Sequence, residues 1–496
     1  MLMKQLTRAP FFKRHQDFLL FAVPVLLVYL VLVISHLNGV YFWDNVQQTS
    51  REAHWFYQQQ FSSFWLPGFS DGEEITGTAY HFPLIGMMTA GLWMVLGQHL
   101  WVSHVFIGFW SVLLVLFTHK LFRCYLSPRV AGWALLVLLL ESTLLTQIAI
   151  ASPDVILLTA LVMALYGIVN RRRGLTSMAL LFLVLINGRG MLAGPFVYLF
   201  AVLHKHLTEG TPLGVKMLWR TALPFVPAYS IYGLYIGLYL LNNGWFLNQA
   251  DSPWSEGWES PQGLMAYLKN FAAFGLRLLE NGRFALWLSA LVLITQAYKR
   301  RTSLIGKKEL PLVVLVGGLI LLFLYFALST VLVIGSRYYM GITLVLGLLV
   351  FVAAERLWCT RRIQTFALVV GLLFVGGHAW VYPSRVSVAW DATLAHTPYY
   401  TLREQLLTYL EQNHIDEEQV GGGFLFSGNQ RYVDLKDRDL RIGQDEDKAY
   451  FIYSNLSNLS DDLIDELENR ELWEPVEVFS KGPVFISLLR NQKIAP

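Results

Sequence analysis

The fold of this chain is organised around residues 41–83, YFWDNVQQTSREAHWFYQQQFSSFWLPGFSDGEEITGTAYHFP. An apolar segment, Phe18–Ser35, precedes this stretch, and another apolar segment overlaps its end. The stretch is long, aromatic and acidic, and Asp44 stands where the first apolar helix should leave a lipid bilayer. This arrangement predicts a loop that begins at the membrane surface and carries ionisable side chains there.

The composition is that of a membrane protein. Of the 496 residues, 55% are hydrophobic and only 15% are charged, whereas soluble domains carry about 25% charged residues. Long apolar runs must satisfy their backbone polar groups internally, as helices do. We therefore predict an α-helical polytopic membrane protein with about 11 transmembrane helices. Its first outer loop is large and contains juxtamembrane helices, and a small C-terminal α/β soluble domain follows the membrane part.

Basic clusters in short loops assign the two sides of the membrane. Four basic residues between positions 4 and 14 place the N-terminus in the cytoplasm. The segment 79–100 is apolar enough to span the bilayer, but a crossing there would move five later basic clusters to the outer side. We interpret it as a juxtamembrane or re-entrant element, with a true crossing as the alternative. The expected location is the bacterial inner membrane, with the C-terminal domain in the periplasm.

The charge distribution divides the chain into a membrane domain, 1–383, and an outer domain, 384–496. From Ser384 onward there are 20 acidic and 11 basic residues, whereas the preceding part has 15 acidic and 27 basic residues. Hydrophobic periodicity in the outer domain predicts helices over 399–412 and 461–470, and strands over 423–426, 449–453 and 483–489. This domain contains no recognisable catalytic motif.

Ionisable side chains at the outer membrane edge are costly unless they are used. The predicted topology places the following ionisable residues at the outer membrane edge: Asp44, Arg51, Glu52, His54, Asp71, Glu73, Glu74, His81, Asp154, Arg189, Arg283 and Arg337. Moving a sugar from a polyprenyl phosphate to a hydroxyl group would require a carboxylate to accept the proton. It would also require cations to hold the leaving phosphate, which arginine can bind with two donors.

Four of these residues have the clearest candidate roles. Asp44 is the candidate base, and its alternative role is a helix cap or an interfacial carboxylate. Asp154 follows Ser-Pro and precedes an apolar run, so it can cap a helix, act in the site, or do both. Arg189 and Arg337 are candidate phosphate ligands, and their alternative is snorkelling to lipid headgroups.

The remaining candidates concern substrate and metal binding. Glu52, His54 and His81 are predicted to bind substrate, and the alternative for His81 is an interfacial polar residue. Asp71, Glu73 and Glu74 are candidate ligands for a divalent metal ion, but they form no D-x-D motif. We therefore predict neither a metal nor a cofactor. The basic excess follows membrane topology, so no nucleic-acid partner is expected.

Taken in order, these motifs resemble those of the GT-C glycosyltransferases, in particular the protein O-mannosyltransferases and the aminoarabinose-to-lipid A transferases. The resemblance covers about residues 15–355 and rests on FWDNVQQTSREAHWF with Asp44, HFPL at 81–84, IASPDVILL with Asp154, INGRGMLAGP with Arg189, and SRYYMGITLVLGLL with Arg337 and Tyr338. The chain departs from the family pattern at Asn45 (usually an acid), at His81 (a phosphate-binding lysine in relatives), and at Phe82 and Gly341-Ile342 (usually prolines).

The resemblance implies inverting transfer of a sugar from a polyprenyl-phosphate donor, such as undecaprenyl phosphate, on the outer face of the membrane. Asp44 would be the base, and Tyr338 would belong to the substrate-binding residues. The acceptor would be a hydroxyl group of an envelope glycan, a glycolipid such as lipopolysaccharide, or a protein. The alternatives are a transporter or flippase for a lipid-linked sugar and a structural partner in an envelope glycan complex. Transporters often contain internal repeats, and we find none here.

Overall fold

A computed structural model describes residues 10–66, 81–243, 257, 259–331, 335–436, 440–443 and 447–494. Helices form most of it as far as residue 376. They are α1 (Pro10–Ser35), α2 (Glu52–Gln58), α3 (Leu84–Leu96), α4 (Leu100–Phe122), α5 (Pro128–Leu138), α6 (Ser142–Ala149), α7 (Asp154–Val169), α8 (Arg173–Ile186), α9 (Gly188–Glu209), α10 (Val215–Ala222), α11 (Val226–Asn243), α12 (Gly263–Leu279), α13 (Phe284–Arg300), α14 (Leu310–Ser329), α15 (Met340–Leu357) and α16 (Thr360–Gly376).

The chain is an integral membrane protein. Among the described residues, five helices are long and apolar enough to cross a membrane, or up to eight spans if each bent helix pair counts as one. The number of eleven stays a prediction. At 13 residues, α3 is shorter than the about 17–25 residues that a spanning helix needs. This length favours the predicted juxtamembrane or re-entrant placement of that segment.

Two segments differ from what hydropathy alone indicates. The apolar run over residues 130–150 is divided into two helices, α5 and α6, that meet at 61°. Glu141 stands at this bend, where its carboxylate accepts a hydrogen bond from Leu144 N–H and caps α6. The stretch between α11 and α13 contains the 17-residue helix α12. Its apolar side chains, including those of Leu264 and Phe271, are largely exposed, as in a helix whose apolar face meets lipid.

The C-terminal part is a small α/β unit. Its elements are α17 (Pro398–Gln412), α18 (Arg431–Asp434), α19 (Asp461–Glu468), β1 (Val420–Gly422), β2 (Gly428–Asn429), β3 (Arg441–Ile442), β4 (Tyr450–Ser454), β5 (Trp473–Lys481) and β6 (Val484–Asn491). The main sheet has the order β1-β4-β6-β5, with β1 parallel to β4 and the other pairs antiparallel. The strand predicted at 423–426 is wrong, because Gly423 begins a turn closed by Phe426 N–H. The other four predicted elements are confirmed, whereas α18, β1, β2, β3 and β5 were not predicted.

The start of the first outer loop belongs to the core of the C-terminal unit. Phe42 and Trp43 are buried in one cluster with Trp390, Tyr399 and the leucines of α17. A larger, separate core joins the membrane helices. Burial of two aromatic rings typically stabilises a structure by several kcal/mol, so this contact fixes where residue 44 lies relative to the C-terminal unit.

Candidate active site

Asp44 follows a buried and strained piece of backbone. Trp43 has φ of +53°, a left-handed conformation that costs energy for a residue with a side chain and is found more often at functional sites. On the other side, the Asn45 amide donates a hydrogen bond of 2.8 Å to the carbonyl of Ile150. The side chain of Asp44 itself keeps 32% exposure. The flanking residues are therefore fixed, and the carboxylate between them is partly exposed.

Asp154 is held at the first position of α7. Ala151, three residues earlier, also has a positive φ, +54°, and the Ser152 hydroxyl accepts a hydrogen bond from the Asp154 amide. Its side chain is only 4% exposed. A carboxylate at a helix N-terminus interacts favourably with the helix dipole, so Asp154 stabilises α7 and also takes part in the cluster described next.

Arg337 is the centre of the site. It lies in a single 3₁₀ turn, Ser336–Tyr339, and its guanidinium group reaches three carboxylates at once. Nε contacts Asp154 at 3.1 Å, Nη1 contacts Asp391, and Nη2 contacts Asp44. The planar fork of arginine, with five donors, allows one cation to hold three anions in different directions.

A second arginine completes the cluster. Arg189 pairs with Asp154 through Nη2 at 2.8 Å, and its Nε donates to Asn187 at 3.1 Å. The Arg189 guanidinium carbon lies 3.7 Å from the centre of the Tyr338 ring, a cation–π contact. Nη1 of Arg189 is buried and has no hydrogen-bond partner among the described residues. Because a buried unpaired donor is costly, this atom marks a place where an anionic ligand would be stabilised.

Asp391 is a site residue that sequence reasoning missed. It lies in the short 3₁₀ segment Ser384–Ala392, its side chain is fully buried, and its backbone carbonyl accepts a hydrogen bond from Gln147. Burial raises the pKa of the Asp391 carboxyl, although Arg337 opposes this effect. The only sequence signal is an aspartate within the apolar run VSVAWDA, and no motif accompanies it.

Two buried ion pairs support the 3₁₀ turn that carries Arg337. Arg283, one of the predicted outer residues, pairs with Glu141 at 2.9 Å and donates a hydrogen bond of 2.8 Å to the Ser336 carbonyl. Glu280 accepts a hydrogen bond from the Ser336 hydroxyl and pairs with Arg277. Arg283 therefore supports the turn that carries Arg337, rather than contacting the carboxylate cluster.

His81 borders the cluster as a neutral ring. Its Nδ1 accepts a hydrogen bond from the Gly188 N–H at 3.3 Å. Burial, together with the nearby Arg189, lowers the pKa of His81 to about 3, and the proton of the neutral ring therefore lies on Nε2. A neutral His81 carries no positive charge with which to pair a phosphate.

Two predicted substrate-binding residues lie in a different cluster. His54 is bonded to the Ser50 carbonyl and to Gln98, and burial lowers its pKa to about 4. Glu52 is buried against Gly86, and burial raises its pKa. The structure shows no contact between these two side chains and the Arg337 cluster within the part of the chain that it describes. Asp71, Glu73 and Glu74 lie outside the described residues.

A cavity of about 50 Å³ lies beside the charged cluster. Asp154, Arg189 and Arg337 line it together with apolar side chains such as Leu157, Leu161, Leu183 and Phe323. Leu157 and Leu161 of α7 stand about one and two helical turns beyond Asp154. The cavity therefore changes from charged to apolar along α7, which matches a ligand with an anionic head and a hydrocarbon tail.

The fold is similar to that of ArnT from Cupriavidus metallidurans. A crystal structure of ArnT bound to undecaprenyl phosphate matches with a TM-score of 0.55 and 13% identity over 96% of this chain and 99% of ArnT. The apo state of ArnT matches equally well, with a TM-score of 0.55. An oligosaccharyltransferase from Archaeoglobus fulgidus matches with a TM-score of 0.45 and 13% identity, over 74% of this chain and 56% of that protein.

No protein-family model and no curated protein sequence matches this chain. The structural likeness shows that the chain has the fold of ArnT. At 13% identity, the likeness concerns the fold alone.

Proposed function

We propose that this chain, which has a GT-C fold, is an inverting glycosyltransferase that moves a sugar from a polyprenyl-phosphate donor to a hydroxyl group at the outer face of a membrane. One observation carries the proposal. Asp44, Asp154 and Arg337 are far apart in the sequence, yet the two carboxylates meet around one guanidinium group at the charged end of an apolar cavity. This arrangement combines a proton acceptor, cations for a phosphate, and adjacent apolar side chains that suit the start of a lipid chain.

The donor phosphate would bind between the two arginines. Nη1 of Arg189 has no partner among the described residues, so it can donate a hydrogen bond to the phosphate without breaking an existing contact. Arg337 is already surrounded by carboxylates and would exchange one of them for the phosphate. The prenyl chain would begin in the apolar part of the cavity beside Leu157 and Leu161. ArnT, the similar solved structure, binds undecaprenyl phosphate, which supports this class of donor.

Asp44 is the carboxylate best placed to act as the base. Its side chain is 32% exposed, compared with 4% for Asp154 and 0% for Asp391, so an acceptor can reach Asp44 most easily. As the acceptor oxygen bonds to the anomeric carbon, Asp44 takes the hydroxyl proton. The bond from that carbon to the phosphate oxygen breaks, and its electron pair leaves with the phosphate. Arg189 and Arg337 stabilise the added negative charge, and this single displacement inverts the anomeric configuration.

The acceptor in this proposal is an envelope glycan, a glycolipid or a protein, and the transferred group is a hexose or a pentose. The bacterial inner membrane, with residues 384–496 on the periplasmic side, is the proposed location. The support is the sequence pattern, in which basic clusters alternate with apolar segments and leave the Asp44 loop on the side opposite to the N-terminus.

Mass spectrometry of envelope lipids and glycans tests the proposal. Cells producing wild-type protein are compared with cells producing Asp44→Asn at matched levels in the membrane, and with an Asp462→Asn control. Asp462 is an exposed carboxylate of the C-terminal unit. We expect Asp44→Asn alone to remove one sugar-sized mass from one glycan or lipid. An unchanged profile with a folded variant would refute the role of Asp44. If the purified wild-type protein moved the intact lipid-linked sugar between leaflets without forming a glycoside, the flippase alternative would be correct.

A further inference from the structure

A second and larger cavity lies between the membrane unit and the C-terminal unit. Its volume is about 970 Å³, and its walls come from Asn38 and Val40 after α1, Leu100 at the start of α4, α17, and Phe479 of β5. This volume is at the upper end of the range of about 300–1,000 Å³ that is usual for ligand sites. The position of the cavity, beside the ends of α1 and α4, places it next to the membrane surface.

One face of α17 offers unused hydrogen-bonding groups to this cavity. Leu402, Leu406 and Leu410 of this helix are buried in the core of the C-terminal unit. The opposite face presents polar side chains to the cavity, namely those of Thr401, Gln405, Thr408 and Gln412. None of these four polar side chains makes a hydrogen bond to another residue in the described ranges. Amides and hydroxyls can both donate and accept hydrogen bonds, which suits a ligand rich in hydroxyl groups.

Aromatic rings form the other part of the wall. Tyr409 and Phe479 lie edge to face, with ring centres 6.0 Å apart. The Tyr400 hydroxyl is held by Nε2 of His396 at 3.2 Å. Ordered rings present a large apolar surface at low cost in conformational entropy. Such a surface complements the C–H faces of sugar rings, while the polar side chains of α17 complement their hydroxyl groups.

The charges in the cavity are already paired. Glu404 forms an ion pair with Lys436 at 2.9 Å, and Asp434 with Arg403 at 3.3 Å. A phosphate or a polyanionic ligand would find no excess of cations here. The chemistry of the wall therefore favours a neutral ligand.

We propose that this cavity binds neutral sugar residues of the acceptor, at a distance from the reacting hydroxyl group. That the bound glycan belongs to the acceptor rests on the proposed function, whereas the binding of a neutral glycan does not. Val40 lines the cavity and precedes Asp44 by four residues, so their Cα atoms are at most about 14 Å apart. Phe42 and Trp43 are buried between them, which keeps the cavity separate from the Arg337 cluster. Sugars held here would supply binding energy that positions the acceptor.

Saturation-transfer NMR tests the binding directly, with the full-length protein in lipid nanodiscs. The probes are the neutral tetrasaccharides maltotetraose, cellotetraose and chitotetraose, and inorganic phosphate serves as the anionic probe in ³¹P experiments. The variant Gln405→Trp places a bulky ring against the polar face of α17 and obstructs part of the cavity. Gln419→Trp makes the same exchange at an exposed position outside the cavity, and it is the matched control. Thermal unfolding verifies that both variants are folded.

We expect saturation transfer to at least one tetrasaccharide in the wild-type protein and in Gln419→Trp. In Gln405→Trp the saturation-transfer signal should be at least fivefold weaker. Asp44→Asn should keep the signal, which separates this proposal from the proposed catalytic function. Absence of transfer to all three sugars, equal transfer in Gln405→Trp, or competition by phosphate would overturn the proposal. Once the acceptor is known, Gln405→Ala should raise its KM about tenfold and leave kcat and the KM of the donor unchanged. An unchanged acceptor KM would show that the bound glycan is not the acceptor.

Discussion

Replacing Arg337 by methionine should leave Asp391 as a buried charge without a partner. Asp154 would keep its contact with Arg189, and Asp44 is partly exposed. Asp391 is fully buried, and Arg337 is the one cation that contacts its carboxylate among the described residues. Removing one member of a buried ion pair typically costs about 3–5 kcal/mol. We expect Arg337→Met to lower the free energy of unfolding by that amount near neutral pH.

The second substitution Asp391→Asn should restore much of this loss, because the double variant contains no unpaired charge at this position. A gain of at least about 2 kcal/mol over Arg337→Met alone is expected, since an uncharged side chain avoids most of the desolvation cost. The pH dependence has a definite sign. Burial already raises the pKa of Asp391, and loss of Arg337 removes an influence that lowers it. The stability of Arg337→Met should therefore be highest at low pH and decrease as the pH rises through the folded-state pKa.

The assay is reversible unfolding by SDS in mixed micelles, followed by tryptophan fluorescence, for the wild type, both single variants and the double variant. The difference between the double variant and the sum of the single variants gives the coupling energy. A coupling below about 0.5 kcal/mol, or a double variant as unstable as Arg337→Met, would refute the reasoning. In that case solvent or another cation would stabilise the negative charge of Asp391.

Three further outcomes are expected. Asn45→Asp replaces the amide that donates to Ile150 with a carboxylate, so the free energy of unfolding should fall by about 1–3 kcal/mol, measured by the same SDS titration against Asn45→Ser. Because the pKa of His81 is lowered to about 3, this residue should make the free energy of unfolding of the wild type fall by up to about 1.4 kcal/mol per pH unit below pH 6.5. His81→Gln should reduce this pH dependence, and an equal pH dependence in the variant would contradict the lowered pKa of His81. Tyr338→Leu removes the ring against Arg189 and should weaken donor binding about two- to thirtyfold, measured as the Kd for undecaprenyl phosphate, whereas Tyr338→Phe should bind within about twofold of wild type.

The sequence predicted the main residues of the cluster because each lies at a recognisable boundary. Asp44 follows the first apolar segment, Asp154 begins an apolar run after Ser-Pro, and Arg189 stands in a glycine-containing break. Arg337 and Tyr338 directly precede another apolar segment. Residues at the ends of apolar helices on the same side of a membrane are expected to share one depth, and in the structure these five side chains are in contact with one another.

Depth alone did not determine which of the outer residues meet. Glu52 and His54 occupy the same loop as Asp44, but the helix α2 packs them against α3 and Tyr432 rather than toward Arg337. The bend at Glu141 and the helix α12 were also missed. Hydropathy records how apolar a segment is, but it does not record where the backbone turns or whether an amphipathic helix lies along the membrane surface.

The amino-acid sequence by itself determined the membrane class, most helix positions and the choice of Asp44, Asp154, Arg189 and Arg337 as candidates. These properties depend on local apolar runs and on charges at their ends. Only the tertiary structure decided that Asp391 of the C-terminal unit contacts Arg337, and that a polar, aromatic cavity lies beside α17. Both features depend on how Phe42 and Trp43 insert into the core of the C-terminal unit. Packing between segments more than 300 residues apart leaves no periodic pattern in either segment.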